Sequence, residues 1–200
     1  MSKNKKLNYK NGDIFTKKAK SQGYRSRASF KLIEIDEKDK IFSRSYNVLD
    51  LGSYPGGWTQ VSLERIGSRG VVVSIDTQDM EPIDGSFYIN KDIQETTKKD
   101  FNKFGDIIPF DLVLSDMAPN ISGISERDDA LMIDLLENVL RIQSGYLKNK
   151  GHLVVKVFQG ESLEFMRKKL KQLFKTVKVR KPISSRSSSR EVYLVAMEKI

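Results

Sequence analysis

The segment NVLDLGSYPGGW, residues 47–58, contains the strongest signal for the fold. It opens with a short, mainly apolar run that is typical of a buried parallel strand. The glycines that follow allow a tight turn and let the backbone approach a ligand closely. They stand at positions 52, 56 and 57, which differs from the G-x-G-x-x-G spacing of dinucleotide-binding folds. The segment therefore predicts a strand, a ligand-binding loop and a helix, and it makes a NAD-dependent oxidoreductase the weaker alternative.

Strands and helices alternate on both sides of this segment. Strand-like runs follow at 71–75, 87–89, 111–115, 152–158, 176–180 and 191–197, with helical stretches near 58–66, 96–104, 127–147 and 162–173. This alternation predicts an α/β domain with a mainly parallel sheet. The Ser/Arg-rich loop 182–190 is too short for a crossover helix, so the last strand must pair antiparallel or lie apart. We predict a seven-stranded, mostly parallel sheet with helices on both faces and an antiparallel last strand.

Composition restricts the classes of function. The 200 residues suit one domain, and the net charge of +9 favours a polyanionic partner over a basic enzyme without one. With no cysteine and one histidine, His152, disulfides, thiolate metal sites and multi-histidine metal sites are excluded, so we predict no metal. No run approaches the roughly 18 apolar residues of a membrane span, and the lysine-rich N-terminus lacks the apolar core of a secretory signal. We expect a cytoplasmic protein that does not bind membranes.

Residues 1–22 are predicted to be a basic N-terminal arm that precedes a single domain at 23–200. Seven lysines lie between positions 3 and 20. Two interpretations stay open for this arm: a solvated, disordered tail or an RNA-contacting segment. From Ser26 the pattern becomes helical, because Ala28, Leu32 and Ile35 share one face.

Three acids follow predicted strands. Asp76 ends the second strand, where a carboxylate can accept hydrogen bonds from ribose hydroxyls, and Asp92 follows the third, where it could accept from an adenine amino group. Asp116 follows the strand at 111–115, so it should face the same crevice. The alternative is that each acid is only a cap or a turn former. Their shared position at strand ends favours a ligand site.

Lys156 lies inside the otherwise apolar strand LVVKVF, residues 153–158. Lysine is almost never fully buried without a partner, and burial beside another cation makes it a plausible base. The alternative is a packed stem with its ammonium group in solvent. Lys31 and Glu191, taken individually, are ordinary surface charges, and composition does not bring them near Lys156.

Five blocks in order resemble the FtsJ family of ribose 2′-O-methyltransferases, from about Gly23 onward. These blocks are YRSRASFKL at 24, LDLGSYPGGWTQ at 49, SDMAPNISG at 115, VVKVFQGE at 154 and VRKPISSRSSSREVYLVA at 179. The resemblance implies a Rossmann-like class I methyltransferase domain with S-adenosylmethionine as cofactor. Ser53 and Tyr54 stand where the family usually has small residues, and the stretch 124–131 differs from the usual version.

The resemblance also implies roles for individual residues. A catalytic Lys-Asp-Lys-Glu set maps onto Lys31, Asp116, Lys156 and Glu191. The implied cofactor contacts map onto Gly56, Trp58, Asp76, Asp92 and Asp116. Lys156 is then either the base that acts on the 2′-hydroxyl or a cation that steers the oxygen.

The implied substrate is ribosomal RNA, most specifically a uridine in the A-loop of large-subunit (23S-type) RNA within the large subunit, modified by a monomeric enzyme. We predict that RNA contacts come from Arg25, Arg27, Lys31, Arg186 and Arg190. The alternatives are a tRNA or mRNA-cap ribose methyltransferase and, in another class, a non-catalytic RNA-binding module.

Overall fold

The computed structural model describes residues 14–43, 46–186 and 188–200. The described part of a first helix, α1, covers residues 14–21. The further α-helices are α2 (Ala28–Asp39), α3 (Gly57–Ile66), α4 (Lys98–Asn102), α5 (Ser125–Tyr146) and α6 (Glu161–Leu173). The strands are β1 (Asn47–Leu51), β2 (Val71–Asp76), β3 (Ser86–Asn90), β4 (Phe110–Ser115), β5 (Leu147–Phe158), β6 (Phe174–Arg180) and β7 (Glu191–Lys199).

The seven strands form one sheet in the order β3-β2-β1-β4-β5-β7-β6. The first five strands pair in parallel, whereas β7 lies antiparallel between β5 and β6. The predicted mostly parallel sheet with an antiparallel last strand is therefore confirmed. The register between β5 and β7 places Lys156 opposite Tyr193, and Phe158 opposite Glu191. A charged residue of the last strand thus reaches the carboxyl end of β5.

Helices cover both faces of the sheet, as predicted. One apolar cluster packs α2 and α3 on the sheet through Leu32, Ile35 and Val61. The other cluster packs α4, α5 and α6 on the opposite face through Phe101 and Leu136, among others. Because β1 and β4 are buried on both faces, they read as nearly continuous apolar runs.

Some element bounds differ from the predicted ones. The expected helix at 96–104 is a five-residue helix, α4, preceded by a 3₁₀ turn at Ile93–Glu95. Strand β5 begins at Leu147, whereas the sequence predicted a start at residue 152. The additional residues include the polar stretch KNKG, and the pairing with β4 is irregular there. A polar, irregular start gives no alternating apolar pattern, so the sequence did not indicate it.

The first 13 residues of the predicted basic arm lie outside the described residues. Within the arm, helix α1 packs on the domain: Ala19 is buried, and the Phe15 ring lies 5.7 Å from the ring of Phe30 in α2. The boundary at residue 22 stays a prediction. Among the described residues, no helix is long and apolar enough to cross a membrane.

Candidate active site

A crevice of about 380 Å³ opens at the carboxyl ends of β1, β2 and β4. Its walls include all three acids that the sequence placed after strands, namely Asp76, Asp92 and Asp116. Other residues of the wall are Gly52, Tyr54, Ile75, Lys91, Met117 and Leu135. In an open sheet of this kind, ligands bind outside the carboxyl ends of the strands. The crevice is therefore the candidate small-ligand site.

Asp76 and Asp92 also organise the backbone around the crevice. Asp76 accepts hydrogen bonds from the amides of Tyr54 (2.9 Å) and Gln78 (2.8 Å). Asp92 accepts from the amide of Gln94 (2.8 Å) and so caps the short 3₁₀ turn. The two acids therefore do both things: they bond to backbone amides in turns, as the alternative interpretation expected, and they also line the crevice. An ionised carboxylate offers about four acceptor positions, so these bonds leave each acid able to accept from a ligand.

The glycine loop is folded so that side chains would not fit. Gly52 has a φ of +71°, and a Cβ there would collide with Met117. Gly56 has a φ of +108°, and a Cβ there would lie 2.6 Å from Ile83. Both positions need glycine for conformation and for space. Gly56 is not among the residues that line the crevice, so it shapes the turn.

Trp58 also lies away from the lining of the crevice, although a cofactor contact was expected. Its side chain is buried between α3 and α2, where its indole N–H donates to the carbonyl of Ala28 at 2.8 Å. Its ring centroid is 5.7 Å from that of Tyr193. The physical reason is helical geometry, since a residue in the first turn of α3 can point to the core as readily as to the ligand.

Four side chains from four elements meet beside the crevice, and we call them the tetrad: Lys31 of α2, Asp116 after β4, Lys156 of β5 and Glu191 of β7. The Lys156 ammonium nitrogen lies 3.1 Å from an Asp116 carboxylate oxygen and 3.7 Å from Glu191. The Lys31 nitrogen lies 3.5 Å from Glu191 and 3.9 Å from Asp116. Each lysine thus faces both carboxylates. The structure therefore brings together all four residues that the resemblance assigned.

The lysine of the central strand is buried. The Lys156 side chain is only 7% exposed, and its ammonium group also donates to the backbone carbonyl of Asp116 at 2.6 Å. It does not extend to solvent, so the snorkelling alternative is wrong. The buried charges are compensated within the tetrad, as buried ions require.

Sequence reasoning missed Tyr193, whose hydroxyl donates to Asp116 at 2.6 Å. Burial and the nearby Asp116 carboxylate raise the pKa of Tyr193 well above its usual value, so it stays a donor. Burial would raise the pKa of Asp116, but Lys156, Lys31 and the Tyr193 hydroxyl outweigh it and the pKa is lowered. The available signal was spacing: Tyr193 stands two residues after Glu191, so both project from one face of β7.

A second buried acid, Asp50 of β1, was also missed. Thr59 donates to one of its oxygens at 2.7 Å, and the other has no hydrogen-bond partner among the described residues. Burial, helped by the charges of Asp116 and Asp76, raises the pKa of Asp50 to about 7. Among the described residues, Lys156 and Lys31 compensate Asp116 whereas no cation compensates Asp50.

Three arginines that were predicted to contact RNA bond within the chain. Arg25 donates to the carbonyls of residues 55, 81 and 82, and Arg27 donates to the carbonyl of Ser184. Arg190 pairs with the buried Asp129 at 2.7 Å and also donates to residues 125 and 159. Arg186 is exposed. RNA contact by these residues stays a prediction, but three of the four guanidinium groups already hold loops in place.

Comparison with known proteins identifies the family. The profile described as FtsJ-like methyltransferase matches residues 24–199. A relative named ribosomal RNA large subunit methyltransferase E, from Marinobacter nauticus, is 44% identical over 198 residues, covering 98% of this chain and 95% of the relative. A relative of the same name from Dechloromonas aromatica is 43% identical and covers 92% of this chain and 90% of its own length.

Solved structures agree with this assignment. A structure described as a ribosomal RNA methyltransferase from Plasmodium falciparum superposes with a TM-score of 0.80 at 30% identity, covering 88% of this chain and 98% of that one. A methyltransferase structure from Streptococcus mutans in complex with SAH, with a TM-score of 0.51 at 18% identity over 83% of this chain and 97% of that one, supports the fold alone. The chain belongs to the FtsJ-like methyltransferase family.

Proposed function

We propose that this chain transfers a methyl group from S-adenosylmethionine to a ribose 2′-hydroxyl of large-subunit ribosomal RNA. The observation that supports this most directly is the tetrad, in which two lysines and two carboxylates meet at the wall of the crevice. The names of the two relatives supply the substrate class. Within that class we propose a uridine of the A-loop in the large subunit, acted on by a monomer in the cytoplasm.

The crevice fits the proposed cofactor in size and charge. Its volume of about 380 Å³ lies in the range of about 300–1,000 Å³ that is common for small-ligand sites. Asp76 and Asp92 would accept hydrogen bonds from hydroxyl and amino groups, and Asp116 adds negative charge that suits a sulfonium cation. When bound, the cofactor supplies an electrophilic methyl group.

The tetrad would orient the acceptor oxygen. In-line transfer depends on alignment of the ribose oxygen with the methyl carbon, so positioning supplies much of the rate. Lys156 is the cation nearest to Asp116, and Asp116 also lines the crevice, so the oxygen would be held beside Lys156. Asp116 and Glu191 hold both lysines, and Tyr193 holds Asp116.

Two roles of Lys156 are separated by the pH profile of single-turnover transfer. If Lys156 takes the hydroxyl proton, its neutral form is the active one and the rate increases with pH. If it stabilises the developing oxyanion as a cation, its charged form is the active one and the rate decreases with pH. A profile in saturating cofactor and RNA distinguishes the two.

The experiment that tests the proposed function is mapping of ribose methylation on total RNA from cells with and without this protein. We expect one large-subunit site to lose its methyl group, whereas a loss on tRNA or at an mRNA cap would favour the alternatives. Calorimetry with the purified chain should detect S-adenosylmethionine binding, about tenfold weaker in Asp76→Ala because a buried hydrogen bond is lost. RNA binding without any methyl transfer would instead indicate a non-catalytic module.

A further inference from the structure

A second cavity lies on the Glu191 side of the tetrad, away from the crevice. It has a volume of about 200 Å³ and is lined by Ile121, Asp128, Phe158, Ser189, Arg190 and Glu191. Asp116 lines the crevice and Glu191 lines this cavity, while both carboxylates lie within 4 Å of the same Lys156 nitrogen. The two spaces therefore meet at the tetrad, as a reaction between two bound substrates requires.

The charged groups in the wall of this cavity already have partners within the chain. Arg190 pairs with Asp129, and its other donors bond to residues 125 and 159. Asp128 accepts from the Ser122 amide and hydroxyl, both at 2.7 Å, and from the Gly123 amide at 3.1 Å. A neutralised arginine is a poor anion site, which disfavours a phosphate in this space.

The apolar part of the wall suits an uncharged, flat ring. Two apolar side chains belong to the wall: Phe158, buried at the end of β5, and Ile121, which is 64% exposed. A large apolar side chain that is mostly exposed beside a reactive centre indicates a contact surface more than a core position. Nucleic-acid bases bind such walls through their faces while polar edges meet nearby side chains.

We propose that this cavity takes the unpaired base of the nucleotide whose ribose is methylated. This inference rests on the proposed function and specifies how its substrate binds. The volume is below the range of about 300–1,000 Å³ for whole small-ligand sites, so it suits one base and not a base pair. The target nucleotide must then leave its stack, as bases do in enzymes that act on single nucleotides. Its sugar would lie beside Glu191, with the 2′-oxygen toward Lys156.

The test compares Ile121→Ser with Ile124→Ser. Ile124 lies in the same loop and is 57% exposed, but it does not line the cavity. With large subunits isolated from cells that lack the protein, kcat/KM for RNA should fall about tenfold in Ile121→Ser and stay within twofold in Ile124→Ser, since one base contact is lost. S-adenosylmethionine affinity should be unchanged in both variants.

A second substrate completes a double-mutant cycle. An RNA fragment that spans the methylated nucleotide is prepared with its base intact or with an abasic target ribose, which keeps the 2′-hydroxyl. If the base occupies the cavity, Ile121→Ser slows transfer to the intact RNA but changes transfer to the abasic RNA by less than twofold. Equal loss on both RNAs, or no loss on either RNA, overturns the base assignment while leaving ribose methylation intact. Absence of ribose methylation by the unchanged enzyme on subunits overturns the proposed function as well.

Discussion

Two sets of basic residues surround the same end of the sheet and differ in what their charges contact. Lys31 and Lys156 face the two carboxylates of the tetrad, beside open space on either side. Arg25, Arg27 and Arg190 instead donate to backbone carbonyls and a buried acid, so they hold loops together. The sequence places both sets in motifs of the same family. The comparison shows that the partners of a basic residue near the site indicate its role, which is either to act on the substrate or to stabilise the fold. Substitutions can distinguish these two roles.

The largest expected effect is that of Lys156→Met. Methionine keeps much of the volume but removes the charge, so methyl transfer should fall at least about 1,000-fold, within the range of about 10²–10⁴ typical for a positioned acid–base group. Cofactor affinity should change by less than threefold, because Lys156 does not line the crevice. Single-turnover transfer and calorimetry measure the two quantities.

Lys178→Met is the matched control for this variant. Lys178 also lies on a strand and pairs with an aspartate, Asp39 at 3.1 Å, but it belongs to the edge strand β6 and is not part of the tetrad. Transfer should stay within twofold of the unchanged enzyme. Equal losses in both variants would show that removal of any strand lysine disturbs the fold, and would contradict a specific role for Lys156.

The next effect concerns an arginine of the second set. Arg190→Gln leaves the buried Asp129 without its cation and removes bonds to Gln159, so we expect a loss of about 3 kcal/mol in the free energy of unfolding. Arg167→Gln, which breaks an exposed helical pair with Glu164, should cost less than about 0.5 kcal/mol. Urea unfolding of both variants measures the difference. An Arg190 variant as stable as the Arg167 variant would contradict a structural role.

Buried acids differ in the same way: Asp116 faces two lysines, whereas Asp50 faces none in the part of the chain that the structure describes. The pKa of Asp50 is raised to about 7 by burial and by neighbouring carboxylates, above the usual carboxyl value, so the folded chain holds the proton more tightly than the unfolded chain. The stability that Asp50 contributes is therefore fully present at low pH and is lost as pH rises through about 7. Between pH 5 and pH 8 we expect a loss of about 3 kcal/mol, because two pH units lie between pH 5 and the pKa of about 7 and each is worth about 1.4 kcal/mol.

Asp50→Asn should remove this dependence. The variant should gain stability relative to the unchanged chain by about 3 kcal/mol on going from pH 5 to pH 8, a change of several degrees in Tm. Asp106→Asn, at an exposed loop position, is the control and should show no such gain. Parallel pH profiles for the Asp50 variant and the unchanged chain would show that Asp50 is ionised in the fold.

The smallest expected effect is on the salt dependence of RNA affinity. Lys20 and Arg186 are exposed, whereas Arg25 and Arg27 already donate to carbonyls. Neutralising Lys20 and Arg186 together should flatten the log–log salt slope by about one to two units. Neutralising Arg25 and Arg27 to glutamine should change it by less than one unit. The reverse order would support the expectation that Arg25 and Arg27 bind phosphates.

Much of the fold was predictable because its signals are local. All seven strands overlap the strand-like runs of the sequence, and the short loop 182–190 required that β7 be antiparallel if it pairs with β6. The position of β7 between β5 and β6 was not predictable, because pairing partners are chosen by tertiary packing and leave no pattern within the strand itself.

The site divides in the same way. Asp76 and Asp116 were found from their position after strands, and Lys156 from its apolar surroundings. Only the family resemblance predicted that Lys31 and Glu191 lie close together, because the two residues are 160 positions apart and each looks like an ordinary surface charge in the sequence. Trp58 faces the core and Asp50 lacks a cation for reasons of packing that no spacing in the sequence reveals.

The insertion of β7 has a consequence for how the protein is made. Residues 191–199 are synthesised after every other strand, yet they occupy an interior place in the sheet and supply Glu191 and Tyr193 to the site. A growing chain that has reached Arg180 therefore has β5 and β6 complete but lacks the strand that both must pair with. Since chains emerge from the ribosome N-terminus first, the sheet and the tetrad are completed only once β7 has been made. If the tetrad carries the reaction as proposed, a newly made enzyme cannot methylate RNA before its own synthesis has passed β7.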